Sequence, residues 1–336
     1  MVAPTLPGGT TPASRTAPAS DAPASGAAPA SRTASRSAGR RGRPGAPVLL
    51  LLPFFVLFTA CTLVPIGNAV YLSLFRERRS GLGFGGVQRV FTGLGNYTDA
   101  LGDAAFRDGF LNLALYCLLY IPLMLALSLL LALLLDSTLA RARRFFQLAL
   151  FLPHAVPGII AALVWMYLYT PGVSPVIGAL HSGGIEADLL GHPVPAVVNI
   201  ALWEWTGYNL IIFFAALQAI PREVLEASVV DGAGPLRTAL NIKLPLIRPS
   251  LAMVGLFTVI GSLQLFTEPT ILHGAAPGVV TTWTPNMYAY TAAFERNDYG
   301  LAAAASVLLA LAAALLSFVV TRLGGGRGAR PKGAKA

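Results

Sequence analysis

Uncharged apolar runs constrain this chain more than any other feature of its sequence. The first run separates Arg43 from Arg76, and no Asp, Glu, Lys or Arg interrupts it. A helix of about 20 apolar residues crosses a hydrocarbon core of about 30 Å. Six segments are long enough, and they lie at about 48–75, 109–135, 145–170, 195–220, 250–272 and 299–321. We therefore predict an all-α membrane protein with six transmembrane helices.

Composition supports a membrane protein and argues against other classes. Charged residues make up 12% of the chain, about half of what an ordinary soluble domain contains. Cys61 and Cys117 both fall in apolar runs, and two cysteines provide neither a disulfide framework nor a four-ligand zinc site. The first apolar run is too long, and too far from residue 1, for a cleaved signal peptide. We expect an uncleaved first span.

Both ends of the chain differ from this apolar domain, which we place at 47–322. Residues 1–46 are rich in Pro, Ala, Ser, Thr, Gly and Arg and offer almost nothing to bury. Such a composition cannot offset the loss of chain entropy, so it predicts a disordered tail. Residues 323–336 form a second, basic tail.

Basic residues are unevenly distributed between the loops. Eighteen of the 24 Lys and Arg residues fall in the N-terminal tail, in the loops 136–144 and 221–249, and after the sixth span. Because Lys and Arg concentrate on the cytoplasmic side of a membrane, we predict that both termini are cytoplasmic. The net charge of +9 then reflects membrane topology and contact with lipid, and it requires no nucleic-acid partner.

The loop at 221–249 has helical signals of its own. Pro221 suits the first turn of a helix, and Glu223 favours the helix N-terminus. Gly232 can stop this helix, and Pro235 opens a second short helix through about Asn241. A stripe of apolar and small residues follows the first helix at Val224, Leu225, Ser228 and Val229. Three interpretations stay open from these residues alone: docking to a partner, an interfacial helix on lipid, and a simple connector.

A motif in this loop resembles a known family. Glu226-Ala227-Ser228 is followed after three residues by Gly232, and after nine more by Ile242 and Leu244-Pro245. This spacing resembles the EAA motif of ATP-binding-cassette (ABC) importer permeases, with Ser228 as the one departure from Glu-Ala-Ala. Four further stretches are similar to carbohydrate-uptake permeases of the maltose and glycerol-phosphate type: Gly93–Tyr97, Phe151–Pro153, Trp203–Asn209 and Gln264–Glu268. The loop His273–Pro277 departs from the Thr-Gly-Gly-Gly-Pro that is frequent in that family.

The resemblance implies the MetI-like ABC importer permease fold, with a cytoplasmic coupling helix-turn-helix in a cleft of the ATPase. The coupling residues that it implies are Leu225, Glu226, Ala227, Ser228, Asp231, Gly232, Ala233, Ile242, Leu244 and Pro245. Leu225, Ala227, Ser228 and Val229 would pack there, and Glu226 would pair with a basic residue of the ATPase. The implied partners are a second, similar permease in a heterodimer, an ATPase dimer and an extracytoplasmic sugar-binding protein. The implied location is the bacterial cytoplasmic membrane.

The sequence contains no motif for nucleotide binding or catalysis that we recognise. The Gly-x-x-x-x-Gly-Lys-Ser/Thr sequence that cradles nucleotide phosphates does not occur. We therefore expect that ATP and Mg²⁺ bind a separate ATPase, and that this subunit has no catalytic site, cofactor or metal of its own. A membrane-embedded enzyme would need a nucleophile–base pair, and none is evident around His154.

Polar side chains within the fourth and fifth spans predict a sugar site. A carboxylate at membrane depth costs on the order of 3 kcal/mol, so Glu204 and Glu268 each need a reason to be there. Sugars combine apolar C–H faces with hydroxyls, which suit aromatic rings beside hydrogen-bonding groups. The predicted set is Trp205, Tyr208, Asn209, Gln264, Phe266, Thr267 and Glu268. Each polar residue alone could equally serve interhelical hydrogen bonding, and the tryptophans could be interface-belt aromatics.

The predicted function is a permease subunit of an ATP-driven, binding-protein-dependent sugar importer. Two alternatives stay open. One is an importer permease of the same fold for a non-sugar solute. The other is an ion-coupled secondary transporter in which Glu204 or Glu268 carries a proton, although such transporters usually have internal repeats.

Overall fold

The computed structural model describes residues 45–79, 87–137, 141–184 and 188–325. The predicted tails at 1–46 and 323–336 lie almost wholly outside these residues. The described part is helical apart from one short pair of strands. By length and composition, five of its helices could cross a membrane, and a sixth span results if one sharply bent helix pair is counted as a single span.

The first candidate span is Leu49–Ser73. It consists of α1 (Gly45–Phe58), a π-helical turn (Thr59–Leu63) and α2 (Val64–Ser73). The helix ends two residues before the predicted bound of about residue 75, because the charged run from Arg76 cannot continue an apolar span. A strand β1 (Phe75–Arg79) starts there instead and pairs antiparallel with β2 (Val87–Phe91). The described part of the chain is therefore helical with one antiparallel strand pair, which we call the hairpin, and it is not purely α-helical.

The second and fourth spans form the most extensive helix pair. A short helix α3 (Gly95–Gly102) precedes α4 (Ala104–Asp136), which starts five residues before the predicted bound. Asp103 caps α4 by accepting a hydrogen bond from the backbone N–H of Ala105 at 3.0 Å. Helix α4 packs along α8 (Pro193–Gln218), which matches the predicted fourth span within two residues.

The third span is broken, and our prediction of one continuous helix over 145–170 was wrong. Helix α5 (Arg143–Phe151) passes through a 3₁₀ turn (Leu152–Ala155) into α6 (Gly158–Tyr169), with a bend of 96° between the two parts. Pro153 and Pro157 lie at this bend. Because proline lacks a backbone N–H and clashes with the preceding turn, a helix does not continue through this pair. A short helix α7 (Pro175–Ser182) follows.

The loop after α8 contains short helices, as its sequence signals predict. They are α9 (Arg222–Val230), α10 (Pro235–Thr238), a π-helical turn (Ala239–Lys243) and α11 (Leu244–Leu246). The fifth span is also interrupted: α12 (Arg248–Leu263) stops, and α13 (Thr267–Leu272) resumes after three residues. The chain then forms α14 (Pro285–Tyr290), a π-helical turn (Thr291–Glu295) and α15 (Tyr299–Gly325), which contains the sixth span.

Burial separates an inner surface from an outer one. The largest buried cluster joins α4, α8 and the fifth span, and it includes Tyr116, Tyr120 and Val197. Large apolar side chains such as Leu118, Leu148 and Leu315 are exposed on the outer faces. Exposed apolar side chains in uncharged helices suit a hydrocarbon environment rather than water. A site for a polar molecule is therefore expected on the inner surface.

Candidate functional site

A cavity of about 390 Å³ opens where α4, α8 and the interrupted fifth span meet. Its wall contains six aromatic and six polar side chains. The lining residues are Tyr116, Tyr120, Trp205, Tyr208, Asn209, Phe257, Thr258, Gly261, Ser262, Gln264, Leu265, Phe266, Thr267 and Glu268. Aromatic faces beside amides, hydroxyls and a carboxylate can bind a polyhydroxylated molecule from several sides.

All seven residues of the predicted substrate site line this one cavity. Trp205, Tyr208 and Asn209 lie at i, i+3 and i+4 on α8, so they share one face of that helix. Gln264 and Phe266 belong to the break between α12 and α13, and Glu268 follows in the first turn of α13. The structure thus brings together residues that lie about 60 positions apart in the sequence.

The break in the fifth span is held open by side chains from the following segment. The Oγ1 hydroxyl of Thr284 donates to the carbonyl oxygen of Leu265 at 3.2 Å. The Nδ2 amide of Asn286 donates to the carbonyl oxygen of Leu263, also at 3.2 Å. Non-helical backbone at membrane depth needs such partners, because no water is available in the hydrocarbon core. These bonds let Gln264 and Phe266 leave the helix and line the cavity.

Sequence reasoning missed two residues of the cavity wall on α4. Tyr116 and Tyr120 stack on each other, with ring centroids 5.0 Å apart and planes inclined by 13°. They are buried in the core of this chain, yet both line the cavity. The available signal was a pair of tyrosines at i and i+4 in a run dominated by Leu and Ala. It was missed because an aromatic residue in an apolar span is usually part of the packing.

Glu204 lies on α8 outside the lining of the cavity. The side chain faces the start of α6, where a Cβ added to Gly158 would be 3.5 Å from Oε1 of Glu204. The other oxygen, Oε2, is buried and has no hydrogen-bond partner among the described residues. The His154 ring packs against both Trp205 and Tyr208, at 4.6 Å from each ring centroid. His154 therefore packs against two cavity residues without lining the cavity itself.

Helix α9 ends as its sequence predicts. Gly232 has a φ of +74°, in the left-handed region that glycine favours. The N–H of Ala233 then reaches back to the carbonyl oxygen of Ser228 at 2.9 Å, and Asp231 and Gly232 also bond to the last turn. These bonds satisfy carbonyls at the helix C-terminus and turn the chain toward Pro235.

The apolar stripe that we predicted on α9 is divided between two faces. Leu225 packs against the buried cluster at the ends of α4, α8 and α12, and Ser228 is buried with its hydroxyl bonded to the carbonyl oxygen of Leu225. Val224, Val229 and Val230 are exposed. Among the other predicted coupling residues, Glu226, Ala227, Asp231 and Gly232 are exposed, and Ala233, Ile242, Leu244 and Pro245 are half-buried.

No group of three or more His, Cys, Asp or Glu side chains that could hold a metal ion occurs in residues 45–79, 87–137, 141–184 and 188–325. The two cysteines of the chain are both free.

Comparison with known proteins identifies the family. Residues 100–325 match the family described as "Binding-protein-dependent transport system inner membrane component". The match contains the cavity wall and the whole segment from α9 to α11. The chain belongs to this permease family. Members of the family are membrane components of transport systems rather than enzymes, and the MetI-like permease fold agrees with the helices described above.

Curated relatives support this assignment over most of the chain. The sn-glycerol-3-phosphate transport system permease protein UgpA of Salmonella choleraesuis is 33% identical over 283 residues, covering 82% of this chain and 92% of that protein. The protein of the same name from Pectobacterium atrosepticum is 31% identical over 272 residues, covering 79% of this chain and 89% of its own length.

Solved structures show the same fold. A chain of a bacterial ABC transporter involved in the import of the acidic polysaccharide alginate superposes with a TM-score of 0.72 at 20% identity, covering 84% of this permease and 96% of that chain. A second structure, of the bacterial alginate ABC transporter in complex with an alginate pentasaccharide-bound periplasmic protein, gives a TM-score of 0.71 at 20% identity, with coverages of 82% and 93%.

The Gly93–Tyr97 stretch of this permease has a structural role. The buried Asn96 amide donates from Nδ2 to the carbonyl oxygens of Ser73 at 2.8 Å and Phe75 at 2.9 Å. Its Oδ1 accepts hydrogen bonds from the Arg76 guanidinium. Asn96 thereby ties α3 to the segment that joins the first span to the hairpin.

Proposed function

We propose that this permease is one subunit of an ABC importer that moves an uncharged saccharide across the bacterial cytoplasmic membrane. It spans the membrane six times, with the bent pair α5 and α6 as its third span and both termini in the cytoplasm. The excess of Lys and Arg in the loops 136–144 and 221–249 and in both tails supports this orientation.

The cavity carries the substrate assignment. Seven residues that the sequence nominates for sugar binding line a single space, and the stacked Tyr116 and Tyr120 add aromatic surface to it. A sugar ring offers apolar faces to such rings and hydroxyls to Asn209, Gln264 and Glu268. A purely structural role for each polar residue would not require them to converge on one space.

The charge of the cavity favours an uncharged substrate. Glu268 is the one charged side chain among the lining residues that the structure describes, and no Lys, Arg or His is present among them. The named substrates of the relatives, sn-glycerol-3-phosphate and alginate, are anions. An anion beside a carboxylate in a poorly solvated space is repelled and lacks a cationic partner. We therefore do not assign the substrates of these relatives to this permease.

Energy for transport enters through a partner. We propose that the segment from α9 to α11 docks in an ATPase dimer, which binds ATP and Mg²⁺, and that Glu226 pairs with a basic residue there. The exposed Val229 and Val230 beside Glu226 and Ala227 give this segment an outward face that a groove can cover. The remaining partners are a second, unlike permease subunit and an extracytoplasmic saccharide-binding protein.

One observation favours a second candidate, an ion-coupled transporter. Buried Glu204 keeps one oxygen without a hydrogen-bond partner in the described part of the chain, and such carboxylates can carry protons. The family match argues against this reading. Collapse of uptake on adding an uncoupler while ATP persists would favour it, whereas uptake that follows ATP supports the importer. A non-sugar solute would appear as stimulation by a different class of loaded binding protein.

The test is reconstitution of the complete complex in nanodiscs and proteoliposomes. This permease, the second permease and the ATPase encoded with it are co-purified and assayed with binding protein loaded with neutral or anionic saccharides. Binding protein loaded with a neutral saccharide should stimulate ATP hydrolysis, and the saccharide should accumulate in the proteoliposomes. Asn209→Ala, Gln264→Ala and Glu268→Gln, made singly, should each lower uptake several-fold without loss of assembly. Thr321→Ala, an exposed change on α15 outside the cavity, is the control.

Two results would contradict the proposal. Unchanged uptake in all three cavity variants would mean that the cavity does not bind substrate. Transport of anionic saccharides in preference to neutral ones would overturn the assignment of an uncharged substrate, even if the complex is an importer.

A further inference from the structure

The ends of three chain segments meet at Asp136, the last residue of α4. The Asp136 carboxylate forms an ion pair with the ammonium of Lys243. Its other oxygen accepts a hydrogen bond from Nε2 of Gln218, the last residue of α8, at 2.5 Å. Lys243 lies 107 positions after Asp136 and closes the π-helical turn of the segment from α9 to α11. We call Asp136, Lys243 and Gln218 the junction.

Burial distinguishes the Asp136–Lys243 pair from the other ion pairs of the described residues, while Gln218 lies at the exposed edge of the junction. The side chains of Asp136 and Lys243 are 8% and 17% exposed, whereas Arg76 and Asp99 are 36% and 54% exposed. Exposed pairs contribute little, because water screens them and flexible side chains lose entropy. A largely buried pair whose carboxylate also accepts a hydrogen bond from an amide is held more firmly, and loss of one partner leaves an uncompensated charge.

The junction connects the segment from α9 to α11 with two helices that line the cavity. Helices α4 and α8 carry Tyr120 and Tyr208 of the cavity wall further along the same helices. Leu225 of α9 packs against the same helix ends, but this contact is apolar and carries no directional bond. Charge-assisted hydrogen bonds are stronger than neutral ones, so a displacement of Lys243 acts on α4 through Asp136 and on α8 through the bond between Asp136 and Gln218.

We propose that the junction passes displacement of the segment from α9 to α11 to α4 and α8, and so links ATPase closure to the cavity wall. This inference rests on the proposed function, since it requires an ATPase at that segment. Asp136 and Lys243 are positioning residues: they touch neither nucleotide nor substrate, and they act through the helices that carry the cavity. The pair is needed for coupling between the ATPase and transport rather than for assembly.

The experiment measures coupling in the complete complex in nanodiscs. Asp136→Asn and Lys243→Met each remove one charge, and Gln218→Leu removes the amide without changing charge. The exchanged pair, Asp136→Lys with Lys243→Asp, restores attraction with the charges reversed. Arg322→Met is the control, because Arg322 lies at the end of α15 with its guanidinium over the Phe318 ring, 4.9 Å from the centroid. The readouts are stimulation of ATP hydrolysis by saccharide-loaded binding protein and saccharide transported per ATP.

We expect Asp136→Asn and Lys243→Met to assemble and keep unstimulated ATP hydrolysis, but to lose stimulation at least fivefold. Gln218→Leu should have a smaller effect in the same direction. The exchanged pair should return to within twofold of the unaltered complex, which a merely structural role for either side chain would not predict.

Failure of this inference and failure of the proposed function give different results. Single-charge variants that stimulate and transport like the unaltered complex would overturn the inference alone. Single-charge variants that fail to assemble, together with an unaffected Gln218→Leu and no recovery in the exchanged pair, would also overturn it. An unaltered complex that no saccharide-loaded binding protein stimulates would instead overturn the proposed function.

Discussion

Gly207 on α8 faces the backbone carbonyl of Leu150 at the end of α5 so closely that a Cβ on residue 207 would lie 1.8 Å from that oxygen. The atom in the way belongs to the backbone, so no side chain can turn aside. This contact fixes the first half of the broken third span against the helix that carries Tyr208 and Asn209. It explains physically why glycine stands within the Trp203–Asn209 stretch.

Gly207→Ala should force α5 and α8 apart. Overpacking of this kind costs about 1–3 kcal/mol in well-packed proteins, and we expect a lower thermal unfolding temperature of the purified complex and weaker uptake. Gly178→Ala is the matched control, because a Cβ there meets no atom within 4 Å. An unfolding temperature equally unchanged in both variants would show that the two helices separate without cost.

Asn96→Ala should loosen the first span from the rest of the permease. It removes the buried donor to the carbonyl oxygens of Ser73 and Phe75 and the acceptor of the Arg76 guanidinium. An unsatisfied buried group costs roughly 1–3 kcal/mol. We expect faster proteolysis near the hairpin and a lower unfolding temperature. Thr98→Ala on the same helix removes only an exposed bond to the carbonyl oxygen of Gly95 and should behave like the unaltered protein.

Thr284→Val should disturb the break in the fifth span while preserving the shape of the side chain. The hydroxyl donates to the carbonyl oxygen of Leu265 and accepts from the N–H of Met287, so both bonds are lost. Loss of a helix cap alone costs about 1 kcal/mol. Uptake should fall because Gln264 and Phe266 lose their position at the cavity. Thr284→Ser keeps the hydroxyl and should retain uptake; equal activity of the two variants would show that the bonds are dispensable.

Tyr288 should make the permease sensitive to alkaline pH. Burial, and then the hydrogen bond that its hydroxyl donates to the Asp103 carboxylate at 2.8 Å, raise the pKa of Tyr288 above its usual value. Because the folded state favours the neutral phenol, this contribution is complete below the ordinary pKa of about 10 and is lost as pH rises above it. Tyr288→Phe should lower stability near pH 7 and flatten the alkaline decline in thermal unfolding measured from pH 8 to 11. A decline as steep as in the unaltered protein would assign it to other groups.

Local patterns predicted the pieces of this permease well. The apolar runs placed the second, fourth and sixth spans within a few residues, because the length of a span is set by the bilayer and not by neighbouring helices. Gly232 and Pro235 predicted the turn after α9, because positive φ and a proline at a helix start are local requirements. The polar residues of spans four and five could be nominated because polar groups are rare at that depth.

Local patterns could not predict how the pieces meet. Apolar runs, basic loops and turn residues were enough to predict a membrane protein with several spans and a helical segment between spans four and five. Three features became visible only once the helices were packed together: the bend of 96° between α5 and α6, the place of Tyr116 and Tyr120 in the cavity wall, and the pairing of Asp136 with Lys243. Because lipid and protein interior are both apolar, hydrophobicity does not reveal which face of a span is turned inward. That choice depends on contacts between residues far apart in the chain, such as Gly207 with Leu150.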